Sequence, residues 1–181
     1  METEDRGQEI TWTAISPEER YRRVTWEGLL IIQRTDEYVW RHGGPAAWAA
    51  FSDGTRPDWA GPIGRKLVAE HKAEFTPDIE GALKLMAVYG AEVWGSGCRD
   101  YTRVRKDSGD EGRVVIVDHG CPQWRALAPD MRGSFPCHKA CGKEMDSVVK
   151  AGLGPGFEVE TVKGRPLGDD DCIWRVRRAA S

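Results

Sequence analysis

Several features are scarce in this chain of 181 residues, and each scarcity argues against a class of protein. Apolar runs such as Leu29–Ile32 fall far short of the roughly 20 apolar residues that span a bilayer. The net charge is only -3, which gives no global attraction to nucleic acid or to an anionic membrane. The acidic start, Met1–Arg6, lacks the basic and apolar regions of a signal peptide. We therefore expect a cytoplasmic protein that has neither nucleic acid nor membrane among its partners.

Cysteine is also sparse, and its odd count of 5 does not fit a complete disulfide framework. Because cytoplasmic thiols stay reduced, clustered cysteines there indicate catalysis or metal binding more than disulfides. Cys98 stands apart and is interpreted as a small buried hydrophobic residue. The other four lie in the C-terminal third of the chain: Cys121, Cys137, Cys141 and Cys172.

Helix signals dominate the first half of the chain, after an N-terminal arm at residues 1–15. The segment Ser16–Glu19 has an N-cap serine, a proline at the first helical position and a glutamate that completes a capping box. This helix should run to Arg41 and stop at Gly43-Gly44. Further helices are predicted at Pro45–Phe51, at Ile63–Lys72 and after Thr76-Pro77, with a turn at Ser52–Thr55.

The second half of the chain has strand signals around one helix. An extended segment at Val93–Arg105 and a strand at Arg113–Val117 should form a hairpin. Because Val114–Val117 is continuously apolar, we expect that strand to be buried on both faces. A helix at Cys137–Ala151 and strands at Phe157–Val162 and Cys172–Val176 complete the predicted order.

These elements predict an α+β fold in a single domain over residues 16–181. Its helical N-terminal half (16–91) should pack on a four-stranded antiparallel sheet (92–181). The order of the second half is β-β-α-β-β, with helices on one face of the sheet.

Cys137 and Cys141 are four residues apart at the start of a predicted helix, so they should project from one face. The partial positive charge of a helix N-terminus favours a thiolate and should lower the pKa of Cys137. Cys137 is thus the candidate nucleophile, and Cys141 would sense a weaker version of the same effect. Three interpretations remain open for the four cysteines: catalysis, zinc binding by four thiolates, or packing.

Candidate acids and bases lie near these cysteines. His138 points about 100° around the helix from Cys137, so its catalytic role competes with that of a capping or surface histidine. Asp118 and His119 precede Cys121 and could orient a water or accept a proton, or could simply form a solvated turn.

A substrate pocket in this region would draw on aromatic and arginine side chains. Tryptophans could form its walls, and an inward-facing arginine could bind a substrate carboxylate. Core packing is the competing explanation for the tryptophans, and a solvated sheet edge for the arginines. The candidates are Trp94, Tyr101, Arg103, Trp124 and Arg125.

A strand leads into Cys121-Pro122, a second cysteine, Cys137, starts a helix, and the turn Gly168–Cys172 leads into the last strand. This order of motifs resembles that of the L-2-amino-thiazoline-4-carboxylic acid hydrolase family. Asp170 departs from the proline that relatives carry after Gly-Asp. The ending is also similar, more distantly, to small-molecule-binding domains of the 4-vinyl reductase type.

The resemblance implies a hydrolase that opens a small nitrogen- or sulfur-containing ring without a cofactor. The Cys137 thiolate would attack an electrophilic C=N carbon, and Cys121 or Cys141 would assist. The alternative that it implies is a binding module stapled by zinc through Cys121, Cys137, Cys141 and Cys172. A third hypothesis has the thiols bind a soft metal ion. Under the first two hypotheses the expected partner is a small molecule. Whether the protein forms a homo-oligomer is left open.

Overall fold

The computed structural model of the chain describes residues 16–90, 99–107, 110–117 and 121–180. The predicted α+β fold is confirmed, with helices in the first half and an antiparallel sheet in the second. The helices are α1 (Pro17–Glu70), α2 (Ile79–Val88), α3 (Pro122–Ala126) and α4 (Cys137–Leu153). The strands are β1 (Thr102–Lys106), β2 (Glu111–Ile116), β3 (Phe157–Lys163) and β4 (Cys172–Arg178).

Helix α1 is folded back on itself at Gly44, where the left-handed φ of 74° interrupts the helical backbone. A straight helix would separate Asp36 from Arg56 by about 30 Å, yet their side chains are in contact. The two arms, residues 17–43 and 45–70, therefore pack side by side as a helical hairpin. The predicted helix start after Ser16 and the break at Gly43-Gly44 are both confirmed.

The turn predicted at Ser52–Thr55 is wrong, because the second arm is helical throughout. The Thr55 hydroxyl donates to the Phe51 carbonyl within this helix. A stripe of buried side chains at every fourth position holds the arm against the rest of the molecule, which outweighs the local preference for a turn. Its members are Trp48, Ser52, Arg56, Ala60 and Gly64.

The sheet has the strand order β1-β2-β4-β3, with every neighbouring pair antiparallel. Strand β1 begins only at Thr102, because Arg99–Tyr101 form a short 3-10 turn where an extended segment was predicted. Helix α2 is capped by Asp78, which accepts from the Gly81 N–H at 2.8 Å, one residue beyond the predicted cap at Thr76-Pro77.

Strand β2 is buried on one face, not on both as predicted. Val114 and Ile116 are buried under the helices, whereas Val115 on the other face is only half-buried. On that other face the guanidinium of Arg113 binds Asp107, and this ion pair needs access to solvent. One layer of helices therefore covers one face of the sheet, as predicted.

The second arm of α1 packs against α4 with its backbone unusually close. A Cβ atom added at Gly64 would lie 2.9 Å from the Val148 Cα and closer still to the Val148 carbonyl oxygen. One turn earlier, a Cβ at Gly61 would meet only the Ala151 Cβ, at an ordinary 3.4 Å, and the end of a flexible arginine. Contact at Gly64 thus fixes the distance between α1 and α4. No helix among the described residues is both long and apolar enough to cross a membrane.

This close approach makes Gly64→Ala a destabilising change. The new methyl group meets backbone atoms that cannot rotate away, so the free energy of unfolding should fall by about 1–3 kcal/mol. Gly61→Ala is the matched control, because its methyl fits and alanine has the higher helix propensity, by up to about 1 kcal/mol. Urea denaturation measures both, and equal stabilities for the two variants would contradict the packing described.

Candidate functional site

The cysteines meet where one end of the sheet adjoins helices α3 and α4. Ile116 at the end of β2 pairs with Cys172 at the start of β4. Cys121 is the N-cap of α3, and its sulfur accepts from the Trp124 N–H at 3.5 Å. Cys137 is the first residue of α4. The four sulfurs lie close enough together to affect one another's pKa, and all four residues are thiols rather than disulfides.

Cys137 does not behave as a helix N-terminal thiolate. Burial raises its pKa well above the ordinary value, and the neighbouring sulfurs of Cys121 and Cys172 raise it further. The predicted lowering of its pKa is wrong, because loss of hydration outweighs the partial charge of the helix terminus. At neutral pH Cys137 is a protonated, buried thiol.

Cys141 lies one turn further along α4 and has a polar partner. Its thiol donates to the Gln123 Oε1 at 2.6 Å. Burial raises the pKa of Cys141 well above the ordinary value, and the Glu144 carboxylate raises it further. Cys141 can therefore become a nucleophile only if a neighbouring group removes its proton.

A small cavity brings Cys141 and Glu144 together. Its volume is about 20 Å³. It lies between the end of β2, the start of α3 and one face of α4. Its walls are formed by Gly90, Ile116, Cys121, Pro122, Gln123, Cys141, Glu144, Met145 and Trp174.

Glu144 belongs to a buried network of charges that joins α1 to α4. The Arg56 guanidinium binds Glu144 through one terminal nitrogen and Asp36 through the other. The exposed fraction is 1% for Glu144, 2% for Arg56 and 3% for Asp36. The network is therefore almost fully removed from water. Two carboxylates face one guanidinium, which leaves an excess negative charge when both are ionised.

Neutral donors complete the network around this excess charge. The Tyr89 hydroxyl donates to the Glu144 Oε2 at 3.2 Å, and the Trp48 indole N–H donates to the Asp36 Oδ1 at 3.2 Å. Burial raises the pKa of Glu144 to about 7, against the opposing effects of Arg56 and Tyr89. Glu144 can therefore gain or lose a proton near neutral pH.

Cys172 and His138 are two further buried side chains near Cys137. Burial raises the pKa of Cys172, while the backbone and the charge of Arg165 lower it. His138 is buried beside Gly164, where an added Cβ would come within 2.7 Å of the histidine Cβ. Burial lowers the pKa of His138, and its Nδ1 has no hydrogen-bond partner within the described ranges. His138 does not line the cavity of Cys141.

The predicted substrate-binding residues are mostly directed elsewhere. Arg103 is exposed on β1 and donates to the backbone carbonyls of Asp100 and Thr102. Arg125 is exposed on α3, and Tyr101 is half-buried against the core. None of the three lines the cavity. Trp124 does not line it either, although it follows Gln123, which does. Trp94, Cys98, Asp118 and His119 fall outside the described residues.

The zinc interpretation gains no geometric support. Within the part of the chain that the structure describes, no three His, Cys, Asp or Glu side chains are grouped as metal ligands.

Sequence reasoning missed the acidic half of this site. Cys137, Cys141 and Glu144 recur at positions i, i+4 and i+7 of α4, which is the spacing of one helix face. A glutamate on the otherwise apolar face of that helix could have indicated a buried acidic group at the site. Its partner Arg56 is 88 positions away in sequence, and Asp36, which binds the same guanidinium, is 108 positions away, so no local pattern connects them.

Comparisons with known proteins leave the family open. No protein-family model matches the sequence, and no curated protein matches it. A solved structure with 17% identity and a TM-score of 0.49 is a trafficking protein particle complex subunit 3 from Naegleria fowleri, covalently bound to palmitic acid. That comparison covers 87% of this chain and 97% of the other. A similarity this distant assigns no function, so the function has to be argued from the residues of the site.

The raised thiol pKa values predict slow alkylation in the folded protein. At neutral pH, iodoacetamide should modify Cys137 and Cys141 far more slowly than the same cysteines in denaturant, because little thiolate forms at buried sulfur. Peptide mapping by mass spectrometry measures each rate, with the denatured chain as the control. A burst of modification at Cys137 in the folded protein would contradict the buried, protonated thiol.

The raised pKa of Glu144 predicts a stability that falls with rising pH. The folded protein binds a proton that the unfolded chain releases between pH 4.5 and about 7, so stability is lost across that window. Glu144→Gln cannot titrate and should lose less stability, by up to about 3 kcal/mol. Urea denaturation at about pH 5 and about pH 8 measures both proteins. Parallel pH profiles for the two would contradict the assignment.

Proposed function

We propose that the protein is a cysteine-dependent hydrolase that opens a small nitrogen- or sulfur-containing ring, with Cys141 as nucleophile and Glu144 as proton carrier. The observation that supports it is the shared cavity: Cys141 and Glu144 line it together, one turn apart on α4. A carboxyl with a pKa of about 7 is suited to exchange protons at neutral pH.

Each step of this proposal uses groups at the cavity. The Cys141 sulfur bonds to the electrophilic C=N carbon of the ring while Glu144 takes the thiol proton. The bond from that carbon to a ring heteroatom breaks, and the heteroatom leaves with the proton. Water then adds to the same carbon, and the Cys141 sulfur departs and regains a proton. The net change is the addition of one water to the ring.

The buried network would hold Glu144 in place for these transfers. Arg56 and Tyr89 each bind one oxygen of the carboxyl group, which fixes its orientation on α4. The Gln123 amide orients the Cys141 thiol in the same way. Reacting groups that are held in position before the substrate arrives lower the entropic cost of the reaction.

The size of the cavity sets a requirement for this reaction. A ring-sized ligand needs a cavity on the order of 150 Å³, so substrate binding must widen the site. Met145 is the wall residue best suited to move, because its unbranched side chain has several accessible rotamers.

Substitutions of the two cysteines of α4 test the assignment. Cys141→Ser should abolish hydrolysis of 2-amino-thiazoline-4-carboxylate, whereas Cys137→Ser should retain it, because the Cys137 sulfur does not line the cavity. Glu144→Gln should lower kcat by roughly 10²–10⁴-fold. Mass spectrometry detects a product heavier than the substrate by one water, and circular dichroism confirms folding.

The pattern of activity decides between the two sulfurs. Activity in Cys141→Ser and none in Cys137→Ser would identify Cys137 as the nucleophile, as predicted from the sequence. A folded wild-type protein with no turnover of this ring, at any pH that spans the titration of Glu144, would contradict the proposed reaction on that substrate.

A further inference from the structure

We propose that the two arms of α1 form a binding site for a small, neutral aromatic molecule, separate from the cavity beside Cys141. Residues of both arms line this hairpin pocket, whose volume is about 230 Å³. Among the described residues, none that lines the hairpin pocket also lines the Cys141 cavity. The proposal goes beyond the hydrolase function and does not depend on it.

Apolar side chains from both arms form the walls of the hairpin pocket. Ile31 and Ile32 come from the first arm, and Phe51 and Trp59 come from the second. Phe51, Thr55 and Trp59 recur every four residues, so a single face of the second arm lines the pocket. The accessible lining is almost wholly apolar. A concave apolar surface of this kind, left open to solvent, is typical of a ligand site.

The two threonines of the pocket use their hydroxyl protons within the helix. The Thr35 hydroxyl donates to the Ile31 carbonyl at 2.9 Å, and the Thr55 hydroxyl donates to the Phe51 carbonyl at 2.8 Å. These protons are therefore engaged by the backbone and are not directed at a ligand. Binding in the pocket has to come from apolar contact.

The charge of Arg56, which also lines the pocket, is already matched. Arg56 is 2% exposed, and its two terminal nitrogens bind Asp36 and Glu144. A carboxylate on the ligand would place a third acidic group near one guanidinium, and removing that carboxylate from water would be costly without a cation of its own. The ligand should therefore be neutral.

One aromatic wall is held in place before any ligand arrives. The Cζ atom of Arg56 lies 5.6 Å from the centroid of the Trp59 ring, within the range of a cation–π contact. A wall that is already ordered lowers the entropic cost of binding. With Phe51 it also offers ring faces and edges, which favour an aromatic ligand over an aliphatic one of equal size.

The volume of the pocket sets the size of the ligand. An apolar cavity of about 150 Å³ holds one benzene ring, whereas sites for drug-sized ligands begin at roughly 300 Å³. The hairpin pocket lies between these sizes, so a molecule of one or two fused rings fits it. Indole is a suitable probe, because it is neutral and has two fused rings.

Two substitutions of Thr55 test the site with indole as the probe. Thr55→Phe puts a ring into the pocket and should weaken indole binding by roughly tenfold or more, because the two rings compete for the same apolar contacts. Thr55→Val is the matched control, since it keeps the shape of the side chain and should bind indole as the wild type does. Isothermal titration calorimetry measures the affinities, and circular dichroism confirms folding. No binding to the folded wild type, or equal affinities in all three proteins, would overturn the proposal.

The charge of the ligand is tested with two probes of one shape. Indole-3-carboxamide is neutral and indole-3-carboxylate is an anion at neutral pH, so they differ mainly in charge. The carboxylate should bind more weakly than the carboxamide, because Arg56 already has two carboxyl partners. Equal or tighter binding of the carboxylate would overturn the assignment of a neutral ligand.

Nuclear magnetic resonance locates the bound probe. With 15N-labelled tryptophan, titration with indole should shift the assigned indole N–H of Trp59 and leave that of Trp174, which lines the Cys141 cavity, unchanged. A shift at Trp174 without one at Trp59 would place the probe in the Cys141 cavity and overturn the proposal. None of these measurements involves turnover, so their outcome is independent of the hydrolase proposal.

The competing occupant is an apolar side chain from a second copy of the chain. Analytical ultracentrifugation of the wild type and of Thr55→Phe distinguishes the two. A wild-type monomer that binds indole supports the ligand site. A wild-type dimer that Thr55→Phe dissociates would make the pocket part of an interface and overturn it.

Discussion

The buried guanidinium of Arg56 is the contact on which the arrangement of the site depends. It joins the two arms of α1 through Asp36 and ties both to α4 through Glu144. Removing three charges from water costs several kcal/mol per ion, and their mutual attraction repays that cost only when the geometry is good. Three apolar side chains of similar volume in the same positions would often give a fold that is at least as stable. Stability alone therefore does not explain why this network lies next to the thiols, whereas the proposed role in proton transfer does.

Burial raises the pKa of both kinds of acid at this site, with opposite consequences at neutral pH. It raises the pKa of the Cys141 and Cys137 thiols away from neutrality, so they hold their protons. It raises the pKa of the Glu144 carboxyl toward neutrality, so this group can exchange its proton. The same desolvation thus leaves the thiols protonated and unreactive by themselves. It also gives the Glu144 carboxyl group, which lies beside Cys141, a pKa near neutrality. In the proposed reaction, chemistry at Cys141 depends on Glu144 for this reason.

Local sequence patterns predicted much of the fold but only part of the site. The Gly43-Gly44 break, the last helix and the strands after it result from backbone preferences and apolar spacing, which act over a few residues. The helix through Ser52–Thr55 was missed because burial of Trp48 and Arg56 against distant partners outweighs turn preferences. The pairing of Arg56 with Glu144 spans 88 positions and becomes visible only when α1 and α4 are packed together.

The same packing bears on how the proposed reaction could widen a tightly held site. Gly64 brings the backbones of α1 and α4 into contact, and Arg56, eight residues before it on the same buried stripe, fixes Glu144. Glu144 is therefore held by elements that cannot shift without breaking a buried ion pair. The wall of the cavity also contains Met145, whose side chain can change rotamer at little cost. In the proposed reaction, a substrate would gain volume from that side chain while the carboxyl group and the thiol keep their relative positions on α4.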